Sequence, residues 1–118
     1  MKSKFRLTRS DDFKRVRREG RSYAHPLIVL VTLPNNLDYW RCGIAAGRSV
    51  GNAVKRNRCK RLLRESVNVV LNHLVPGYDF VILARQPMNN ATFIQIKDAL
   101  CILFTRAQLL NNKVVNGI

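Results

Sequence analysis

Arg48-Ser49-Val50-Gly51-Asn52-Ala53-Val54-Lys55-Arg56-Asn57-Arg58-Cys59-Lys60-Arg61-Leu62-Leu63-Arg64-Glu65 lies near the centre of a 118-residue chain. Placed on a helical wheel at about 100° per residue, the run divides into two arcs. Cys59, Leu63, Ser66, Val70 and Leu74 form one stripe, which suits packing on a sheet. Asn57, Lys60, Arg61 and Arg64 fall on the opposite arc, with Arg58 and Glu65 at its edge. Lys55 and Arg56 sit nearer the apolar arc, but in the first turn, where a helix often projects past its sheet. A solvated helix gains from opposite charges four residues apart, and this one forgoes that gain. Clustered like charges cost free energy unless an anion neutralises them, and the planar arginine fork suits phosphate. Gly51 and Asn52 lead into a helix N-terminus, whose free amide groups also favour an anion.

The rest of the N-terminal half shares the bias. Lysine and arginine number 21, aspartate and glutamate 7, for a net charge of +14. Residues 1–64 hold 17 of the basic residues and 4 acids (Asp11, Asp12, Glu19, Asp38), a net charge of +13. Residues 65–118 hold 4 basic and 3 acidic residues, a net charge of +1. Hydrophobic residues make up 47% of the chain, so the excess belongs to a folded globule and not to a disordered tail. Such a surface repels itself, and a polyanionic partner is the usual reason for it. Collagen-like chains, disulfide scaffolds and acidic solvating proteins are excluded.

Cys42, Cys59 and Cys101 are odd in number and form no C-x-x-C pair, and His25 and His73 do not fall at zinc-finger spacing. Reduced, buried thiols are expected, with no metal site. No apolar run follows the basic start. The longest apolar stretches, Leu27–Leu33 and Phe80–Ala84, are of strand length, far short of a membrane span. A cytoplasmic protein without a membrane partner is expected.

Outward from the basic segment, Ser10 opens a short first helix and can cap it, with Asp11 and Asp12 where the helix dipole favours negative charge. Phe13 and Val16 share a face, and Gly20 stands at the usual C-terminal glycine position. Leu27–Leu33 and Tyr39–Ala46 read as strands, antiparallel if the short link between them is a hairpin. The basic helix runs from about Asn52 to His73 and stops at Pro76-Gly77. Tyr78–Arg85 is a further strand. A last helix, from about Asn90–Thr92 to Leu110, repeats Phe93, Ile96, Leu100, Leu103, Phe104 and Ala107 at helical spacing. The tail from about Asn111 is expected to fray. The order α-β-β-α-β-α argues for one domain over 1–118, an α+β or α/β sandwich with helices covering a small sheet.

At the basic segment the sequence resembles the protein subunit of bacterial ribonuclease P. The resemblance rests on Gly51, Ala53-Val54, Arg56-Asn57-Arg58, Lys60-Arg61 and Arg64-Glu65 in their combined spacing. It extends to Arg6-Leu7, Asp12-Phe13-Lys14-Arg15-Val16 and Gly20, to Arg41-Cys42-Gly43-Ile44 leading to Arg48, and to Tyr78-Asp79-Phe80-Val81-Ile82-Leu83-Ala84-Arg85. Only the chain from about Asn111 has no distinctive match. The resemblance implies an α/β (α+β) two-layer sandwich, a small mixed sheet covered by helices in the order α-β-β-β-α-β-α. It also implies a left-handed β-α-β crossover through the basic helix, against the common right-handed rule.

The function implied is that of the RNA-binding subunit of a ribonucleoprotein endonuclease that removes the 5′ leader from precursor tRNA. Its partners would be the catalytic RNA subunit, which carries the active site and its Mg2+, and precursor tRNA, with no obligate protein partner. Carried over as RNA contacts are Arg56, Asn57, Lys60, Arg61 and Arg64, with Arg48 and Arg58 as additions. Phe13 and Val29 carry over to a leader cleft between the first helix and the sheet. Arg17 stands where many members have a second aromatic residue, and Val31 where some have tyrosine. The expected cleft of Phe13, Arg17, Val29 and Val31 therefore relies less on stacking and more on phosphate attraction.

The residues themselves allow plainer readings. Phe13 and Val16 can simply pin the first helix to the sheet. Val29 and Val31 alternate to one face of their strand, as core valines do. The carboxylates form no pair for metal or acid–base work, and neither histidine has a nucleophilic partner, so no catalytic residue is expected in the protein. A small ribosomal protein would share the charge and size but leaves the signature spacing unexplained.

Overall fold

The computed structural model describes residues 3–110. Its elements are α1 (Ser10–Glu19), β1 (Arg21–Ala24), β2 (Ile28–Pro34), β3 (Arg41–Ala46), α2 (Ala53–Val70), β4 (Tyr78–Ala84) and α3 (Phe93–Arg106). Short 3-10 turns occupy Ser3–Phe5, Arg48–Val50, Leu71–His73 and Gln86–Asn90. The expectation for the tail from Asn111 lies outside the described residues.

The strands form one mixed sheet in the order β1-β2-β4-β3. β2 pairs antiparallel with β1 and with β4, while β3 runs parallel to β4 and is joined to it through α2. The hairpin considered for the two apolar strands is absent, because β4 lies between them. The link after β2 bonds instead to the turn that enters β4. Asn35 N–H donates to the Gly77 carbonyl and Gly77 N–H to the Tyr39 carbonyl, at 2.9 and 3.2 Å. β1 had no apolar signature to read, since three of its four residues are exposed.

Strand alternation separates two apolar clusters. Ile28, Leu30, Phe80 and Ile82 face α2 and α3, against Cys59, Leu63, Val67, Ile96, Leu100 and Phe104. On the opposite face Val31 and Val81 pack with Leu7 and Val16. The sheet with α2 and α3 makes the two expected layers, and α1 adds a partial cover on the other side. Every residue of the predicted stripe, Cys59, Leu63, Ser66, Val70 and Leu74, is buried. Each large aliphatic side chain so buried contributes about 1.5–3 kcal/mol.

Helix ends follow local chemistry. Asn52 caps α2 by accepting from Lys55 N–H at 3.0 Å, and Thr92 with Gln95 closes a capping box on α3. At α1 the cap position falls on Arg9, without a side-chain bond, so Ser10 is the first helical residue and not the cap. Gly20 adopts φ −81° and ψ 169°, which is not the left-handed glycine end expected. Glycine is required there by proximity: a Cβ would lie 2.4 Å from the Val16 carbonyl oxygen and 2.7 Å from that of Thr32.

Candidate nucleic-acid interface

Cross-strand partners share a face, so the α1 side of the sheet can be followed in rows. One row is Leu33, Asp79 and Arg41; the next is Ser22, Val31, Val81 and Gly43; the third is Ala24, Val29, Leu83 and Ala45. α1 lies along the middle row. Near its start the Phe13 ring covers Gly43, where a Cβ would come within 2.6 Å of Cζ. At its end Gly20 abuts Val31 and Thr32. Arg15, on one flank of α1, reaches Asp79 in the first row at 2.6 Å. The other flank, which carries Arg17, therefore borders the third row. Val29, Leu83 and Ala45 stay half-buried there, and Ala24 is exposed.

Beside α1 this leaves a half-buried apolar row as a floor, bordered by the helix that carries Phe13 and Arg17. Val29 lies in that row, half-buried and paired with Leu83. Val31 does not: it lies beneath α1 at 3% exposure and supports the helix from below. Leu83 was not singled out from the sequence, although its alternation with Val81 and its pairing with Val29 put it on the floor.

Behind α1 stands a buried ionic cluster. Asp79 is fully buried and accepts from Arg15 Nη2 at 2.6 Å, Arg41 Nε and Nη2 at 2.8 and 2.7 Å, and Asn35 Nδ2 at 2.9 Å. Burial alone would push its carboxyl up; the bonds from Arg41, Asn35 and Arg15 outweigh this and hold it below the usual range. The same bond raises Arg41.

α2 carries the cationic surface. Asn57, Arg61 and Arg64 are exposed, and Arg56 and Lys60 half-buried. Arg56, Lys60 and Arg64, four residues apart, make one flank, and Asn57 and Arg61 lie outward of it. Arg64 joins Arg6, Leu7, Thr8, Phe13, Cys42 and Ile44 around a depression of about 230 Å3 at the edge of β3. Phe13, which also covers Gly43 at the start of α1, is thus shared between this depression and the α1 face of the sheet. Arg48 is exposed at the head of its 3-10 turn. That turn is tied to the segment before α3 by Asn89, whose Nδ2 donates to the Val50 carbonyl at 2.6 Å. Arg58 departs from the others: it is half-buried on the flank of α2 away from Arg64, and its Nη1 is buried without a hydrogen-bond partner.

The cysteines are free thiols, Cys42 and Cys59 buried and Cys101 half-buried. Burial pushes all three up, against a neighbouring Arg58 at Cys59 and Lys97 at Cys101. They are poor nucleophiles. Among the described residues no three His, Cys, Asp or Glu side chains gather in a metal-binding group, and no helix is long and apolar enough to cross a membrane.

The chain is similar in sequence and fold to known proteins. The family model described as Ribonuclease P matches residues 1–108. The ribonuclease P protein component of Clostridium beijerinckii is 36% identical, across 96% of this chain and 96% of its own length. That of Herpetosiphon aurantiacus is 40% identical, across 92% and 88%. The solved structure of the Staphylococcus aureus RNase P protein aligns with a TM-score of 0.82 at 34% identity, over 91% of this chain and 98% of that one. The mixed sheet, the signature spacing on α2 and full-length likeness at this identity agree, and the chain belongs to the ribonuclease P protein family.

Proposed function

We infer that the chain is the RNA-binding subunit of ribonuclease P, assisting a catalytic RNA in removing the 5′ leader from precursor tRNA. The observation that carries this reading is that Arg64 of α2 and Phe13 of α1 line one depression at the β3 edge, which sets the cationic flank of α2 beside the helix that borders the half-buried apolar row. Arg48, Arg56, Asn57, Lys60, Arg61 and Arg64 would bind phosphates of the RNA subunit. The cleft of Phe13, Arg17, Val29 and Leu83 would hold single-stranded leader, with Phe13 as a stacking surface worth about 1–3 kcal/mol per base and Arg17 attracting phosphate.

The chain's own carboxylates suit Mg2+ poorly. Asp79 is saturated by arginine and asparagine donors, and no cluster of ligands forms among the described residues. Mg2+ chemistry is therefore assigned to the RNA subunit, and the protein's part is binding and orientation. The cytoplasm, where precursor tRNA is made, is the matching location.

Reconstitution tests the reading. The protein alone should leave precursor tRNA intact, and the protein with its cognate catalytic RNA at low Mg2+ should cleave it faster than the RNA does by itself. A mixture that stays at the RNA-only rate refutes the assignment.

A further inference from the structure

We propose that Arg15, through its ion pair with Asp79, is a positioning residue for leader recognition, fixing the roll of α1 so that the Ala24–Val29–Leu83–Ala45 row stays open. This rests on the leader-cleft reading above.

α1 is a ten-residue helix with a narrow apolar footing. Its two inward apolar side chains are Phe13, over Gly43, and Val16, clustered with Val31 and Val81, with Val29, Leu33 and Leu83 packed at the margins. Both are centred on the middle row, and a helix whose two apolar anchors are nearly collinear resists rolling only weakly. Arg15 reaches off that row to Asp79, in the row on the far side from the cleft. It makes the only side-chain hydrogen bond from α1 to the sheet among the described residues. A third, off-axis point of attachment resists rolling where two nearly collinear ones do so only weakly.

The placement of the acid supports the same conclusion. A buried carboxylate is costly unless it is well paired, and an apolar side chain of similar size is often as stable. Asp79 nonetheless sits at 0% exposure beside Phe80, Val81 and Ile82. Arg41 and Asn35 already satisfy it from β3 and the β2–β3 link. The bond from Arg15 is therefore not needed to neutralise the acid, and its specific effect is to tie α1 to a fixed point in the sheet.

The test is Arg15→Met, which keeps much of the aliphatic stem and leaves Asp79 paired with Arg41 and Asn35, so the protein folds. In the reconstituted holoenzyme, the affinity advantage of leader-bearing over leaderless tRNA should fall about tenfold, equivalent to about 1.4 kcal/mol. Binding of the RNA subunit should stay unchanged, and Arg15→Lys should recover part of the loss. The salt dependence of precursor binding separates positioning from direct contact. A lost phosphate contact would flatten the slope by about one, whereas lost positioning leaves it as it was. Unchanged leader discrimination, an equal loss with leaderless tRNA, or a flattened slope each overturn the proposal. Leu83→Ser, which alters the floor itself, is the companion variant. If it too leaves leader discrimination intact, the cleft reading falls; if it abolishes discrimination while Arg15→Met does not, only the positioning role falls.

Discussion

Asp79 and Gly43 carry more of the site than their residue types suggest. The folded Asp79 carboxyl is held below its usual value, against burial, by Arg41, Asn35 and Arg15. On unfolding it returns to about 3.9, so the unfolded chain takes up its proton first. The stability this group contributes is fully present above that value and is lost as pH falls through the lower folded value. Urea midpoints should therefore hold steady for this group down to about pH 5 and drop below about pH 4. Asp79→Asn should lower the stability read from the midpoint at neutral pH by about 1.5–3 kcal/mol, the scale of a lost charge-assisted hydrogen bond, and flatten the acid limb. An acid limb unchanged in the variant would assign the acid sensitivity to other carboxyls. Gly43→Ala tests the other contact. Its Cβ would fall 2.6, 3.0 and 3.1 Å from three atoms of the Phe13 ring, so the ring must shift. A loss of about 1–3 kcal/mol is expected, read by urea denaturation, together with weaker leader binding. Neither role was visible in the sequence. Arg15 and Arg41 are 64 and 38 residues from Asp79, and no local pattern marks a contact across such distances.

At the scale of the elements, α2 was readable because one helix carries both signals, a buried stripe with helical period and cations on the remaining arc. The structure then divides those cations. Arg61→Ala should reduce the salt slope of RNA-subunit binding by about one, as one phosphate contact would. Arg58→Met should keep or raise the thermal midpoint, because the buried Nη1 has no partner and an unpaired polar group is costly to bury. A marked destabilisation would mean that Arg58 is satisfied in solution. α3 was equally legible, and its start can be checked. Thr92→Ala removes the cap accepted from Gln95 N–H at 3.2 Å and should cost about 1 kcal/mol in denaturant unfolding. What escaped reading was pairing. β1 is an exposed edge strand without apolar alternation, and the insertion of β4 between β2 and β3 depends on bonds between the 35–39 link and Gly77. The proposed cleft inherits this limit: its floor row runs across β1, β2, β4 and β3 side by side, an order set by tertiary pairing and not by any segment's own period.

Across the whole molecule, the charge imbalance becomes a division of labour. The first 64 residues, with a net charge of +13, supply α1, β3's approach and the cationic turns of α2. The remainder, at +1, supplies β4, α3 and most of the large core side chains. Free protein and complex should therefore respond to salt in opposite directions. In the free protein, added salt screens self-repulsion over a Debye length that shortens from about 30 Å at 0.01 M to about 10 Å at 0.1 M, while the buried Asp79 cluster is screened much less. The melting temperature should rise over that range, and a fall would mean that surface ion pairs outweigh repulsion. In the complex, each phosphate neutralised by Arg48, Arg56, Lys60, Arg61 or Arg64 releases counterions. If all five engage, the logarithm of the binding constant should fall against that of salt with a slope of about −3.5 to −4.5. Replacing Arg85, Lys97 and Arg106 together by glutamine should leave that slope unchanged, because they lie in the scaffold half. A slope that flattened as much with these three as with three cations of α2 would show that binding follows net charge alone, with no preferred face.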